Sequence, residues 1–397
     1  MSCNILITNC WLRSAYVTLR NITAGGHKGF ISDSRKVGMS QFSKFKSNFS
    51  LYTSHYQNEE RFIQEIARIC HLRNIDIIIP SHNETEILAK HRKLIGEDLC
   101  RLIPKYEDCK LFNNKALSYD YAKSLGVSVP QRYEYDDPRE LEGILGGKGP
   151  VVIKLLTGNS SKGVYYSDCS TNTRKIVEDL ISRYELPPNR YPQIEQKVIG
   201  EGWGCSVLYW DGEPIADFTH RRLREKISTG GTSTLREKAE NEIIHEAAHR
   251  IFSNIGWHGL AMCEFKVCPK TGKTWFIEVN PRLWGSLSLA INAGVEFPQI
   301  ALLCATKGPK KASDFLNKTK LVQNHKSKWM LGDLSLFLRH ISKLELFSAK
   351  NLLFESVDSY DDFNWDDPLP FLGEVLRYCL NSIKGLSLNP QEKGMLK

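Results

Sequence analysis

Three side chains near residue 280 could do chemistry together. Glu278 and Asn280 lie two apart in TWFIEVN, an aromatic and β-branched run that reads as a strand, so both point to the same face. A second strand-like run, LAMCEFKV (260–267), precedes it across the turn CPKTGK. Pairing the two as a hairpin, with an odd loop of three or five residues around Thr271, sets Glu264 opposite Glu278. Like charges facing each other across a ladder destabilise it unless a cation compensates. Two carboxylates and an amide oxygen are hard ligands, suited to Mg²⁺ that keeps waters and phosphate oxygens. Taken alone, the hairpin is also compatible with solvated surface acids. Pro281 and Arg282 immediately after it favour a site.

Two lysines fall where lysines are unusual. Lys115 sits in the first turn of an expected helix, where the helix dipole repels a cation by roughly a few tenths of a kcal/mol. An anion there would be held by backbone N–H groups and the lysine together. Lys154 interrupts VVIKLL, an apparently buried strand, and a buried lysine needs a partner. The small-residue stretch TGNSSKGV (157–164) follows, a loop type whose amides can curl around phosphate oxygens.

The elements that must carry these residues begin with βαβ logic. NILIT (4–8) reads as a strand, 11–20 as a helix, and IDIIIP (75–80) as a buried parallel strand. Between them, Phe62, Ile63, Ile66 and Ile69 have helical spacing. There is no GxGxxG after the first strand, so a dinucleotide site is not supported. From Asn113 a short helix ends at Gly126 and Pro130. Strands are then expected at 151–156, 193–199 and 205–210, with a turn at Asp211-Gly212, and a helix over 237–254. The last ninety or so residues read as mostly helical, with an interruption near DDFNWDDPLP.

Totals narrow the class. A chain of 397 residues with 41% hydrophobic and 25% charged residues is an ordinary globular composition. No run of about 18 apolar residues suggests a membrane span. The start MSCNILITNCWLRSAY reads as a strand and helix instead of a signal peptide. Eleven scattered cysteines with no CxxC fit reduced thiols in a cytoplasmic setting. The net charge of +8 is spread along the chain. It suits an enzyme that holds a polyanionic nucleotide. Nucleic acid is disfavoured, because no aromatic RNA-binding motif, zinc spacing or basic recognition helix appears. HRRLREK (220–226) is one dense basic run, and KGPKKASDFLNKTK (307–320) reads as a solvated helical face or linker.

At this point the residues resemble the ATP-grasp superfamily, in its carboxylate–amine ligase branch related to the carbamoyl-phosphate synthase large chain. The stretches that carry the resemblance are ITN, NKALSYDYAKSLGVSVP, IKLLTGNSSKGV, IEQKVIGEGWG, HRRLREKISTGGTST, CEFKV and FIEVNPRLWGSLSLAINAGVEFP. It implies an α/β fold with a Rossmann-like N-terminal domain over 1–112 and an ATP-grasp domain over 113–305, whose lid spans about 127–193. A mostly helical C-terminal region would follow over 306–397. It further implies that Lys115 and Lys154 contact ATP phosphates, and that Ser160, Ser161 and Gly163 form a lid loop. Gln196, Lys197 and Ile199 would cradle adenine. Glu264 and Glu278 would ligate magnesium, with Glu278 bridging two ions, Asn280 on the second, and Mn²⁺ able to substitute. Arg282 would meet the γ-phosphate or acyl phosphate, and Arg222 and Arg224 would steady phosphates or a substrate carboxylate. Two departures stand out: the hinge carries Gln196 where Glu is common, and the ribose-binding acid is assigned only to Glu201.

The activity implied is ATP- and Mg-dependent joining of a small-molecule carboxylate to an amine through an acyl phosphate. A cytoplasmic enzyme, with homodimers common among similar proteins, is the matching expectation. The GGTST stretch (230–234), with Trp284, Gly285 and Ser286, would border the acceptor pocket. Competing readings are a bicarbonate-using enzyme on the same scaffold and a non-enzymatic ATP-binding module.

Overall fold

The computed structural model describes residues 2–158, 163–226, 232–345 and 355–383, with isolated positions at 347, 350 and 352. The expected loop residues Ser160 and Ser161, and the first two residues of GGTST, lie outside the described residues. Among the described residues no helix is long and apolar enough to cross a membrane.

The N-terminal region is a parallel sheet, as the apolar runs require. Strands β1 (Asn4–Ile7), β2 (Lys28–Asp33), β3 (Lys46–Leu51) and β4 (Ile77–Ile79) order as β3-β2-β1-β4. Strands β2 and β3 carry too few consecutive apolar residues to announce themselves. The helix Glu59–Arg73 buries the four residues whose spacing predicts it. Asn58 caps it, accepting from the Arg61 amide, and Asn74 closes it in the left-handed region.

A small antiparallel sheet follows, of β5 (Arg132–Tyr133), β6 (Val151–Lys154), β7 (Val164–Ser167) and β8 (Gln193–Gln196), ordered β5-β8-β6-β7. Its own apolar cluster includes Val151, Ile153, Leu155, Val177, Leu180 and Ile194.

The third sheet holds seven strands. They are β9 (Glu201–Trp210), β10 (Glu213–Glu225), β11 (Ser233–Lys238), β12 (Gly259–Val267), β13 (Thr274–Asn280), β14 (Lys326–Lys328) and β15 (Ser359–Tyr360). The order is β13-β12-β9-β10-β11-β14-β15. One expectation changes here. The helix expected over 237–254 starts at Glu242, because Arg236 and Lys238 are drawn into β11 against β10 and β14. The C-terminal region is mostly helical as expected, and two short strands in it, β14 and β15, also extend the central sheet. Both are short, polar or charged strands that sequence periodicity does not reveal. The run KGPKKASDFLNKTK is the helix Pro309–Lys318, and it buries Ala312.

A buried ion pair ties this C-terminal layer on. Arg236 is 2% exposed and pairs with Asp361, which also accepts from Ser327 Oγ at 2.6 Å. Arg236 Nη1 donates to the Gly285 carbonyl at 3.2 Å. Breaking such a pair leaves an uncompensated buried charge. Asp361→Ala should therefore cost roughly 3–5 kcal/mol of stability, measured by denaturant unfolding of the purified protein. A loss under about 1 kcal/mol, the scale of an exposed pair, would show that the clasp is dispensable.

Candidate active site

The hairpin that carries the acids forms with Glu264 opposite Glu278 and Met262 opposite Asn280. The loop is longer than the odd loop expected: Val267 pairs with Thr274, leaving 268–273 between them. A register shift after Glu264 restores the facing carboxylates. A bulge that re-aims a side chain is common beside active sites.

Glu264 is crowded by charge. Arg222 Nη2 lies 2.6 Å from its Oε2, and Asn280 Nδ2 donates to its Oε1 at 3.0 Å. Burial pushes the Glu264 pKa up, Arg222 opposes this, and Glu278 pushes it up further. A divalent cation would relieve both upward effects, and the donors are hard oxygens. The residues therefore fit Mg²⁺.

Arg222 can reach the acids because β9 offers glycines opposite it. A Cβ on Gly202 would come within 2.8 Å of the Arg222 side chain, and one on Gly204 within 2.4 Å of the His220 ring. This is the physical role of the GEGWG stretch. Burial, with Arg222 and Arg236 nearby, pushes the His220 pKa down and keeps the ring neutral beside Ser286 Oγ at 3.1 Å.

Opposite the acids stand the lysines. Lys115 Nζ lies 3.7 Å from Glu278 Oε2 and donates to the Gly158 carbonyl at 2.8 Å. Burial lowers its pKa, and Glu278 opposes that. The helix start does not offer the free amides expected there. Asn114 accepts from the Ala116 and Leu117 amides, and the Lys115 amide bonds to the Leu156 carbonyl. Only the ammonium is left for an anion.

Lys154 is 6% exposed and meets Glu195, itself 3% exposed, at 2.7 Å. Gln193 Nε2 holds the other Glu195 oxygen at 2.5 Å. Glu195 escapes the sequence reading, which looked for an acid at Gln196. The available signal is slight: an acid in the short polar strand QIEQ, two residues from the partner of Lys154 in the β6–β8 register.

Arg282 is half-buried, donates from Nη1 to the Leu283 carbonyl at 3.2 Å, and has no partner for Nε among the described residues. Burial lowers its pKa, while Glu278, Glu264 and Glu84 hold it up. Glu84 is a second residue that sequence reasoning missed. Fully buried, it accepts from Thr8 Oγ1 at 2.5 Å, from Asn9 Nδ2, and from the Ser81 and His82 amides at 3.0 and 3.2 Å. It fixes the loops at the carboxyl ends of β1 and β4, the edge where open parallel sheets place ligands.

One cavity of about 410 Å³ collects most of these groups. Lys115, Lys154, Gln196, Lys197, Ile199, Arg222, Glu264, Glu278, Asn280 and Arg282 all line it. Ile199 is 81% exposed, an apolar side chain free to cover a flat ring. The Gln196 and Lys197 amides are committed to the Gln131 and Pro150 carbonyls. Gly163, at φ +76°, packs on Leu155 and accepts from its amide at 2.8 Å, outside the cavity lining. Two expected residues turn away. Arg224 is drawn to Asp333 at 2.5 Å and to Glu355, both in the C-terminal region. Glu201 faces Arg221 at 3.5 Å and does not line the cavity. The shift in the β10–β11 register between Arg222 and Arg224 is what separates the two arginines.

A parallel N-terminal sheet, a small antiparallel sheet and a central sheet carrying the acids together make the ATP-grasp fold. Residues 169–306 match the model of the carbamoyl-phosphate synthase L chain ATP-binding domain. The chain is 25% identical over 166 residues to a phosphoribosylamine–glycine ligase of Archaeoglobus fulgidus, covering 41% of this chain and 35% of that one. It is 27% identical over 213 residues to the carbamoyl phosphate synthase large chain of Pseudomonas syringae, covering 48% and 18%. The matches thus span about a third or less of these relatives.

Among solved structures, a Campylobacter jejuni biotin carboxylase complex superposes with a TM-score of 0.64 at 16% identity, over 82% of this chain and 74% of the other. The L-amino acid ligase of Bacillus licheniformis gives 0.59 at 15%, over 77% and 74%. N5-carboxyaminoimidazole synthetase of Staphylococcus aureus with ADP gives 0.57 at 16%, over 82% and 80%.

The Lys154–Glu195 pair yields a test that separates packing from phosphate binding. Lys154→Ala alone should destabilise the fold, because it strands a buried acid. The double variant Lys154→Met, Glu195→Gln should restore the unfolding midpoint and still bind Mg-ATP at least about tenfold more weakly, the scale of one charged hydrogen bond. Parent-like nucleotide affinity in the double variant would make the lysine purely structural.

Proposed function

We propose that the chain is an ATP- and Mg-dependent ligase that activates a carboxylate as an acyl phosphate for attack by an amine, releasing ADP and phosphate. One observation carries this reading. Glu264, Glu278 and Asn280 face Lys115, Lys154 and Arg282 across a single cavity. That is the charge pattern that phosphoryl transfer requires, since its catalysis is mostly positioning and charge neutralisation. Bound magnesium would supply Lewis-acid charge between nucleotide and protein, held by Glu264, Glu278 and Asn280.

The chain's own groups divide the rest. Lys115 and Lys154 hold phosphate oxygens, and Arg282 lies where charge builds on the transferred group. Gln196, Lys197 and Ile199 border the base. The substrate carboxylate attacks the γ-phosphorus and its bond to the β,γ-bridging oxygen breaks, giving acyl phosphate and ADP. The amine then adds to the acyl carbon and phosphate leaves. Water must be excluded throughout, or the acyl phosphate hydrolyses. Arg222 restrains Glu264 directly, whereas Arg224 acts as a brace to the C-terminal region. A homodimer in a cytoplasmic setting is the assembly this reading favours, checked by light scattering.

The test is ADP release by purified protein with Mg-ATP across a grid of carboxylates and amines, with and without bicarbonate. ADP formation that needs one carboxylate and one amine, with a product mass equal to their sum less water, is the expected result. Bicarbonate dependence would move the chain to carboxylase chemistry. Glu278→Gln should abolish ADP release while leaving the unfolding midpoint within about 1 kcal/mol of the parent's. Turnover at the parent rate would overturn the metal assignment.

A further inference from the structure

The cavity is larger than a triphosphate needs, and its far end has a different character. Three separate parts of the chain wall it: Arg13 after β1, Trp284 after β13, and Trp329, Glu374 and Tyr378 from the C-terminal region. Arg13 lies flat on Trp329, 3.7 Å from the ring centre. Lys226 Nζ sits 5.3 Å from the Trp329 ring and 5.6 Å from the Tyr378 ring. Two further cations that line this end are already neutralised, Arg236 by Asp361 and Arg222 by Glu264 and Glu225. Arg13 and Lys226 have no salt bridge among the described residues, and Arg13 Nη1 has no hydrogen-bond acceptor there. Glu374 is 5% exposed, and its Oε2 has no hydrogen-bond partner among the described residues.

We propose that this end of the cavity binds a second carboxylate of the substrates, the one that is not activated, with Arg13 and the Glu374 carboxyl as donors. The inference rests on the ligase reading for the word "second" and on the local geometry for the rest. The aromatic walls give the molecule that bears this carboxylate an apolar or flat body. Two sources share the chemistry: an amino acid that enters by its amine, and a dicarboxylate activated at its other end.

Glu374 takes the role of a neutral donor for a physical reason. Burial pushes its pKa well up, the neighbouring Asp362 pushes it further, and Arg13 opposes both. Asp362 is itself pushed up to about 6 by burial. Burial and Arg13 lower the Lys226 pKa, and Glu374 opposes that; Tyr378, the remaining titratable neighbour, is raised by burial and by Glu374. A protonated carboxyl can donate to an anion, and an ionised one repels it. The sign follows: anion binding is present while Glu374 holds its proton and weakens as pH rises through its raised pKa. Glutamine mimics the protonated form.

The experiment is calorimetric titration of the protein, loaded with Mg²⁺ and a non-hydrolysable ATP analogue, with the standard amino acids, with succinate, glutarate and adipate, and with inorganic phosphate. One carboxylate family should bind, and which one does identifies the source. Arg13→Ala should weaken it about 10- to 100-fold at an unchanged unfolding midpoint. Glu374→Gln should bind within a few-fold of the parent and lose the weakening at high pH. Equal loss in Glu374→Gln and Arg13→Ala would make Glu374 an ionised partner of a cation and overturn the proposal. So would phosphate binding in place of every carboxylate, or no binding by any of them. The ligase reading fails separately. Carboxylate binding without ADP release from any pair removes that reading and leaves this site. ADP release with substrates lacking a second carboxylate, unchanged in Arg13→Ala, removes this site and leaves the ligase.

Discussion

Two carboxylates held face to face in a buried cavity set the terms for the rest of this molecule. Glu264 and Glu278 repel each other, and burial makes that repulsion expensive to leave uncompensated. Every cation around them can be read as part of the answer. Arg222 takes one face of Glu264, Lys115 approaches Glu278, and Arg282 lies behind both. The same arrangement leaves a place for a divalent ion and for the oxygens of a triphosphate. Function and electrostatic necessity therefore point to the same few side chains.

The scaffold supplies these charges through backbone devices of low bulk. The register shift in the β12–β13 hairpin turns Glu278 toward Glu264 despite a loop of the wrong length. Gly202 and Gly204 clear the surface of β9 so that long side chains from β10 can lie across it. Glu84 uses both its oxygens to tie the loops after β1 and β4, and a buried acid with several donors is a stiff connector. Each of these devices decides where a side chain of the cavity stands.

Much of this was legible in the residues. Glu264, Glu278, Asn280 and Arg282 declare themselves because strand periodicity puts unlike and like charges on one face next to a proline. Lys154 does so because an apolar strand has no other use for a lysine. What could not be read has physical causes. Glu195 carries meaning only through a cross-strand partner 41 positions earlier. Arg224 differs from Arg222 only through an irregular register, which leaves no mark in local sequence. Strands β14 and β15 are too short and too polar to show a period, so the C-terminal region reads as helical until the sheet is seen whole. Arg13 and Glu374, more than 300 residues apart, are brought together by tertiary packing alone.

The extension of the central sheet by β14 and β15 has a consequence for how such a protein can diversify. Glu264 and Glu278 on β12 and β13, and Trp329 just after β14, stand toward opposite edges of one continuous sheet, clasped by Arg236 and Asp361. Sequence drift in the C-terminal layer can therefore reshape its part of the wall while the strands that carry the acids keep their geometry. A lineage built this way can change its diet without relearning how to burn its fuel.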